Sequence, residues 1–262
     1  MSGRRIVLTS GKGGVGKTTT TVNVGAALAK RGKRVVLVDT DIGLRNLDLV
    51  LGVEKRIVFD LVEVIEGRAQ LRQALIRDKR FESLWMLPAA QTRDKDSVTE
   101  QQVTRVIEEL ATFHDYVLID CPAGIEGGFR NAVAGAHEAI VVTTPEVSAI
   151  RDADRVVGKL RERHLPAKLI VNRIRPEMVK SGDMMSVEDV REILNVEVLG
   201  VVPDDEEVID TTNRGEPIVL DDSRRLTSIY DKIARRLEGE KIPLTPLEAP
   251  GLFGKLRTLW KV

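Results

Sequence analysis

Residues 11–18 read Gly-Lys-Gly-Gly-Val-Gly-Lys-Thr, which satisfies the phosphate-binding pattern G-x-x-x-x-G-K-[ST] through Gly11, Gly16, Lys17 and Thr18. Glycines let such a loop turn its backbone N–H groups inward around phosphate oxygens, and the following helix points its N-terminus at the same negative charge. Lys17 would reach the β- and γ-phosphates of a nucleotide, and the Thr18 hydroxyl would take a Mg2+ ion. Gly11, Lys12, Gly13, Gly14, Val15, Gly16, Lys17, Thr18 and Thr19 are therefore the candidate nucleotide-binding residues. Lys12 is surplus to the loop pattern. It is either a solvated loop lysine or a cation meant for a neighbouring subunit.

Phosphoryl transfer also needs carboxylates. Asp120 closes the apolar run 116–119, where it would hold Mg2+ together with Thr18. Asp39 and Asp41 follow the run 35–38; a carboxylate there orients or polarises an attacking water, or else serves as a turn or cap aspartate. Cys121 sits beside Asp120, but no His or Asn arrangement supports a nucleophile, and it reads as a small buried residue. His114, His137 and His164 have no metal-ligand spacing.

Those residues need a scaffold, and the pattern of the chain predicts one. Apolar runs at 6–9, 34–39, 116–120, 139–143, 168–172 and 196–202 are continuous rather than alternating, as in strands buried on both faces. A shorter run at 84–87 joins them. Helical patterns fall between, at 18–30, 99–111, 148–163, 186–194 and 224–237. The expected fold is an α/β three-layer sandwich, a mostly parallel sheet with helices on both faces, and right-handed crossovers place the ligand loops at the strands' C-terminal ends.

With 40 basic against 40 acidic residues, no global field draws this chain to nucleic acid or to an anionic surface, so any such attraction must be local. The single cysteine excludes an internal disulfide and argues for a reducing compartment. The N-terminus carries no apolar signal segment, and no stretch approaches the roughly 20 apolar residues of a spanning helix.

Composition changes after Leu237. Pro243, Pro246 and Pro250 make 238–251 read as an extended linker after an ATPase-type domain at 1–237. At 252–262 Leu252, Phe253, Leu256, Leu259 and Trp260 fall on one helical arc of roughly 120°, with Lys255, Arg257 and Lys261 outside it. A short amphipathic helix with basic flanks suits the headgroup boundary of an anionic bilayer.

The loop with its extra Lys12 resembles the deviant Walker A motif of the ParA/MinD superfamily of dimerising ATPases. The segments Asp39-Thr40-Asp41-Ile42-Gly43-Leu44-Arg45-Asn46-Leu47-Asp48, Gln91-Thr92-Arg93-Asp94-Lys95-Asp96, Asp120-Cys121-Pro122-Ala123-Gly124 and Arg151-Asp152-Ala153-Asp154-Arg155 are similar to its septum-site-determining branch, in the same order along nearly the whole chain. The resemblance implies ATP and Mg2+ as ligands and an ATP-bound homodimer in which Lys12 touches the partner's phosphates. It implies in-subunit roles for Lys17 and Thr18, a first switch at Asp39 and Asp41 with Asp41 as the water-orienting residue, and a second at Asp120. Asn46 would shape the switch loop, and Asn172 would meet adenine. Arg151, Asp152 and Asp154 would contact a MinC-like inhibitor and a MinE-like activator, or else form a solvated helix face. The sequence departs from the pattern at Cys121, where a serine is common, and in the Trp260-Lys261-Val262 ending.

Within the superfamily, cluster-binding redox members need at least two cysteine ligands per subunit, and this chain has one. DNA-partitioning members, the alternative reading, need clustered surface Lys and Arg. No basic run stands out, no specific nucleic acid is expected, and the amphipathic tail favours the membrane. The resulting expectation is a cytoplasmic ATPase peripheral to the inner face of the cell membrane that regulates placement of the division septum.

Overall fold

The computed structural model describes residues 2–94 and 97–244. The amphipathic segment 252–262, with Leu252, Phe253, Leu256, Leu259 and Trp260, lies outside the described residues. Eight strands form one sheet: β1 (Arg4–Thr9), β2 (Val35–Asp39), β3 (Ile76–Arg77), β4 (Leu84–Leu87), β5 (Tyr116–Asp120), β6 (Glu138–Thr143), β7 (Ala167–Ile174) and β8 (Glu197–Pro203). Their order is β3-β4-β2-β5-β1-β6-β7-β8, and every pairing is parallel except β3 with β4. β3 was not expected. Its two residues are too few for a periodicity to show, and so short an edge strand limits edge-to-edge pairing.

Period-two alternation explains the apolar runs. Ile6 and Leu8, Val35 and Leu37, and Tyr116 and Leu118 pack on one face, while Val7, Val36, Val38, Val117 and Ile119 pack on the other. The first face is covered by α1 (Lys17–Lys30) and α2 (Leu47–Leu51). The second takes α3 (Leu61–Ile65), α4 (Leu71–Ala74), α5 (Glu100–Phe113), α6 (Gly127–Ala134), α7 (Val147–Glu162) and, after α8 (Pro176–Ser181), α9 (Val187–Leu194). After α10 (Glu207–Asn213) the chain returns to the first face with α11 (Arg225–Leu237). Capping boxes at Thr99 with Gln102 and at Ser186 with Asp189 fix where α5 and α9 begin, by satisfying amides that no intrahelical carbonyl can reach.

The described part of the expected linker is not loose. Arg236 donates to the carbonyls of Ile242 (2.8 Å), Pro243 (2.7 Å) and Leu199 (3.0 Å), and Lys33 pairs with Glu238 at 2.8 Å. Residues 238–243 are thus held to the domain. Among the described residues no helix is long and apolar enough to cross a membrane.

Candidate functional site

The order β2-β5-β1-β6 puts β1 at the centre of the sheet, so the glycine loop emerges where neighbouring loops diverge, the usual ligand crevice of an open α/β sheet. Gly14 (φ 78°) and Gly16 (φ 90°) adopt left-handed conformations that let the loop curl, and Gly16 is the residue from which α1 starts. A Cβ at Gly13 or Gly14 would meet no atom within 4 Å, which leaves a concave, side-chain-free cradle. It forms one wall of a cavity of about 490 Å3 lined also by Lys17, Thr18, Thr19, Asp41, Asn46 and Arg173. Gly11 is not on that cavity. It faces α7, where its bare Cα lets the loop lie against the backbone of Asp152.

Behind the cradle, Lys17 Nζ donates to Asp120 Oδ1 at 2.9 Å, and Thr18 Oγ1 donates to Asp120 Oδ2 at 2.8 Å. Burial alone would pull the Lys17 ammonium down, but the Asp120 carboxylate outweighs it and holds Lys17 above the ordinary lysine range. Lys17 therefore enters the site charged. The hydroxyl of Thr18 and the carboxylate of Asp120 are the hard oxygen donors that Mg2+ takes, and one or two protein oxygens suffice where phosphates supply the rest. The residues present fit that ion. Thr21, one turn beyond Lys17 on α1, places its hydroxyl 3.0 Å from Asp120 Oδ1. The i, i+4 spacing was the available signal for Thr21, and the motif reading stopped at Thr19.

Asp39 and Asp120 are register partners on adjacent strands, yet their surroundings differ. Asp39 is fully buried. Its Oδ1 accepts from the Asp41 amide (2.9 Å) and its Oδ2 from the Leu47 amide (3.2 Å), so it ties the loop to the start of α2. Each Asp39 oxygen accepts a backbone amide, and the residue itself does not line the cavity. Asp41 does line it. Burial, reinforced by Asp120, pushes the Asp39 carboxyl up to about 7. The folded chain then keeps a proton that the unfolded chain releases near the ordinary carboxylate value of 3.8. The Asp39 contribution to stability is therefore present at low pH and is lost as pH rises from about 4 through about 7. Nucleotide-free Asp39→Asn should be less stable at low pH, having lost an acceptor for one amide, but its melting temperature should fall less than the wild type's between pH 5 and pH 8. Parallel thermal melts across that range would remove the assignment. Burial, reinforced by the Asp120 and Asp41 carboxylates, pushes the neighbouring Cys121 thiol up to about 12, which keeps it protonated.

Asn172 was expected at a strand end. β7 instead runs on to Ile174, with a register slip against β8 between Val171 and Ile174. The Asn172 side chain donates to the carbonyl of Val15 at 2.8 Å and lines a second cavity, of about 370 Å3, with Thr19, Pro203 and Asp204. Lys12 turns the other way. Its Nζ donates to Ser148 Oγ at 3.2 Å on α7, and it is not on the wall of the phosphate-side cavity. Along α7, Arg151 and Asp154 are exposed and Asp152 is half-buried. Arg173 had no sequence signal as a cavity residue.

A glycine cradle at a sheet switch point, with a buried Lys–Asp–Thr cluster behind it, defines a P-loop nucleotide-binding protein. The description "CobQ/CobB/MinD/ParA nucleotide binding domain" matches residues 6–218. The septum site-determining protein MinD of Bacillus subtilis (strain 168) is 54% identical over 265 residues, covering 99% of each chain. A solved MinC:MinD cell division protein complex from Aquifex aeolicus superposes with a TM-score of 0.87 at 51% identity, covering 93% of this chain and 99% of that one. MinD from Pyrococcus horikoshii OT3, solved with Mg-ADP, gives 0.82 at 32% identity over 91% of this chain and 99% of that one. The chain belongs to the MinD family of septum-site-determining, nucleotide-binding ATPases.

Proposed function

We propose that this chain is a Mg2+-dependent ATPase that dimerises on ATP, holds to an anionic membrane surface at the cytoplasmic face through residues 252–262, and leaves it after hydrolysis. The observation that carries this reading is the division of labour between the two loop lysines. Lys17 lies inside the cradle, whereas Lys12 leaves it for the surface beside α7.

In this mechanism the loop amides and Lys17 hold the β- and γ-phosphates, and Lys17 exchanges Asp120 for phosphate oxygens. Thr18 and Asp120 would hold Mg2+, which when bound would offset the negative charge of the nucleotide phosphates. Asp41, on the cavity wall, orients the attacking water, and Asp39 keeps the loop that carries Asp41 in place. Lys12 reaches the phosphates of a second copy as a trans-acting cation. Asn172 borders the base. Arg151, Asp152 and Asp154 form the surface for a MinC-like inhibitor and a MinE-like activator. The Gly11 contact with Asp152 gives that surface a direct packing link to the phosphate loop.

The tail explains what dimerisation is for. Five apolar side chains contribute on the order of 10 kcal/mol gross, most of it offset by ordering an eleven-residue helix. Two tethered copies raise the effective concentration enough to strengthen binding by roughly 10² or more. Co-sedimentation with anionic vesicles tests this. The intact chain should pellet with ATP and not with ADP, and a chain ending at Leu244 should stay in solution with either. Lys12→Ala should bind nucleotide yet remain monomeric and unpelleted. If Lys12→Ala still forms ATP-dependent dimers, the trans role of Lys12 is wrong. If DNA rather than vesicles retains the ATP form, the partitioning alternative replaces the membrane reading.

A further inference from the structure

The slip in β7 has a directional effect. Val171 pairs with Val201 and Ile174 with Pro203, so β7 carries one residue more than β8 across this step. Bulges of this kind cluster beside active sites, where they re-aim side chains. Here the slip turns Asn172 inward to the Val15 carbonyl and leaves Arg173 exposed at φ 56°, a left-handed conformation that arginine rarely adopts.

Arg173 borders both the phosphate-side cavity and the base-side cavity around Asn172 and Thr19, and also a groove of about 790 Å3 beyond β6 and β7. Its neighbour Arg175 is held by Asp204 at 2.7 Å. The Arg173 side chain forms no ion pair or hydrogen bond with any described residue. A strained backbone that presents an uncommitted guanidinium where two cavities meet suits a planar, multi-donor contact to an anion spanning both.

We propose that Arg173 is a nucleotide-contacting residue that grips the phosphate nearest the sugar, between the cradle and the base-side cavity of its own subunit. This rests on the nucleotide reading of the site. Glycine tolerates the left-handed conformation, so Arg173→Gly removes the guanidinium while relieving the backbone. Thermal melts and titrations with a fluorescent ADP are to be run on the full-length chain at fixed salt. Arg173→Gly should melt no lower than wild type without nucleotide, yet bind ADP about tenfold more weakly, and Arg173→Lys should recover part of that loss. Unchanged ADP affinity in Arg173→Gly overturns the proposal while leaving the nucleotide site intact. So does a loss matched by a lower nucleotide-free melting temperature, because that marks a structural role. A wild-type chain that fails to bind ADP sinks the nucleotide reading itself.

Discussion

Lys17→Ala is expected to lower ATP turnover by about 10³ or more and, independently, to destabilise the nucleotide-free protein by about 3–5 kcal/mol. The two effects share one cause. Lys17 and Asp120 are both nearly buried, at 8% and 2% exposure, and the pair at 2.9 Å leaves neither charge alone. Deleting the ammonium leaves a buried carboxylate without its cation, held by the hydroxyls of Thr18 and Thr21. It also removes the cation needed on the transferred phosphate. A second substitution separates these consequences. Lys17→Met combined with Asp120→Asn removes both buried charges, so denaturant titration should show most of the stability restored, while phosphate release stays at the floor. If Lys17→Ala unfolds at the wild-type denaturant concentration, the buried pair is not what holds the loop to β5.

Gly11→Ala should have the next largest effect, through a different mechanism. Its Cβ would lie 2.2 Å from the carbonyl carbon and 2.3 Å from the carbonyl oxygen of Asp152, and 2.7 Å from the amide nitrogen of Ala153. These are backbone atoms, so no rotamer change relieves the clash, and either the loop or α7 must move. We expect a loss of about 1–3 kcal/mol in stability and at least about tenfold in nucleotide affinity. Gly13→Ala is the control, since its Cβ meets nothing within 4 Å and its φ is not left-handed. It should leave stability within about 0.5 kcal/mol, while its methyl projects from the cradle wall and weakens nucleotide binding. Equal melting temperatures for the two variants would show that the loop–α7 contact is slack.

The same contrast shows what could be read before folding. Gly11 and Gly13 are equivalent glycines in a motif. Only the packing of α7 makes one a steric necessity and the other a bare wall. Asp39 and Asp41 are likewise two carboxylates two residues apart, and only the resemblance favours Asp41 as the water-orienting one. The amides of Asp41 and Leu47 converge on Asp39 because the chain after β2 folds back to start α2, and no local pattern encodes that return. Arg173 gave no sign in the sequence. Its exposure depends on a one-residue mismatch between β7 and β8, and so on a partner strand that contributes nothing to the local pattern.

The phosphate loop, the both-faces-buried strands, the main helices and the two acidic strand ends are all legible along the chain. Each depends on residues adjacent along the chain or repeating at the period of one element. Which carboxylate meets Lys17, which glycine touches α7 and which lysine leaves the cavity depend on how distant segments pack. Those relations join residues as far apart as Lys17 and Asp120, 103 positions along the chain, and the order β2-β5-β1 brings them together. Strand order is fixed by the packing of both sheet faces at once, so no single segment carries it.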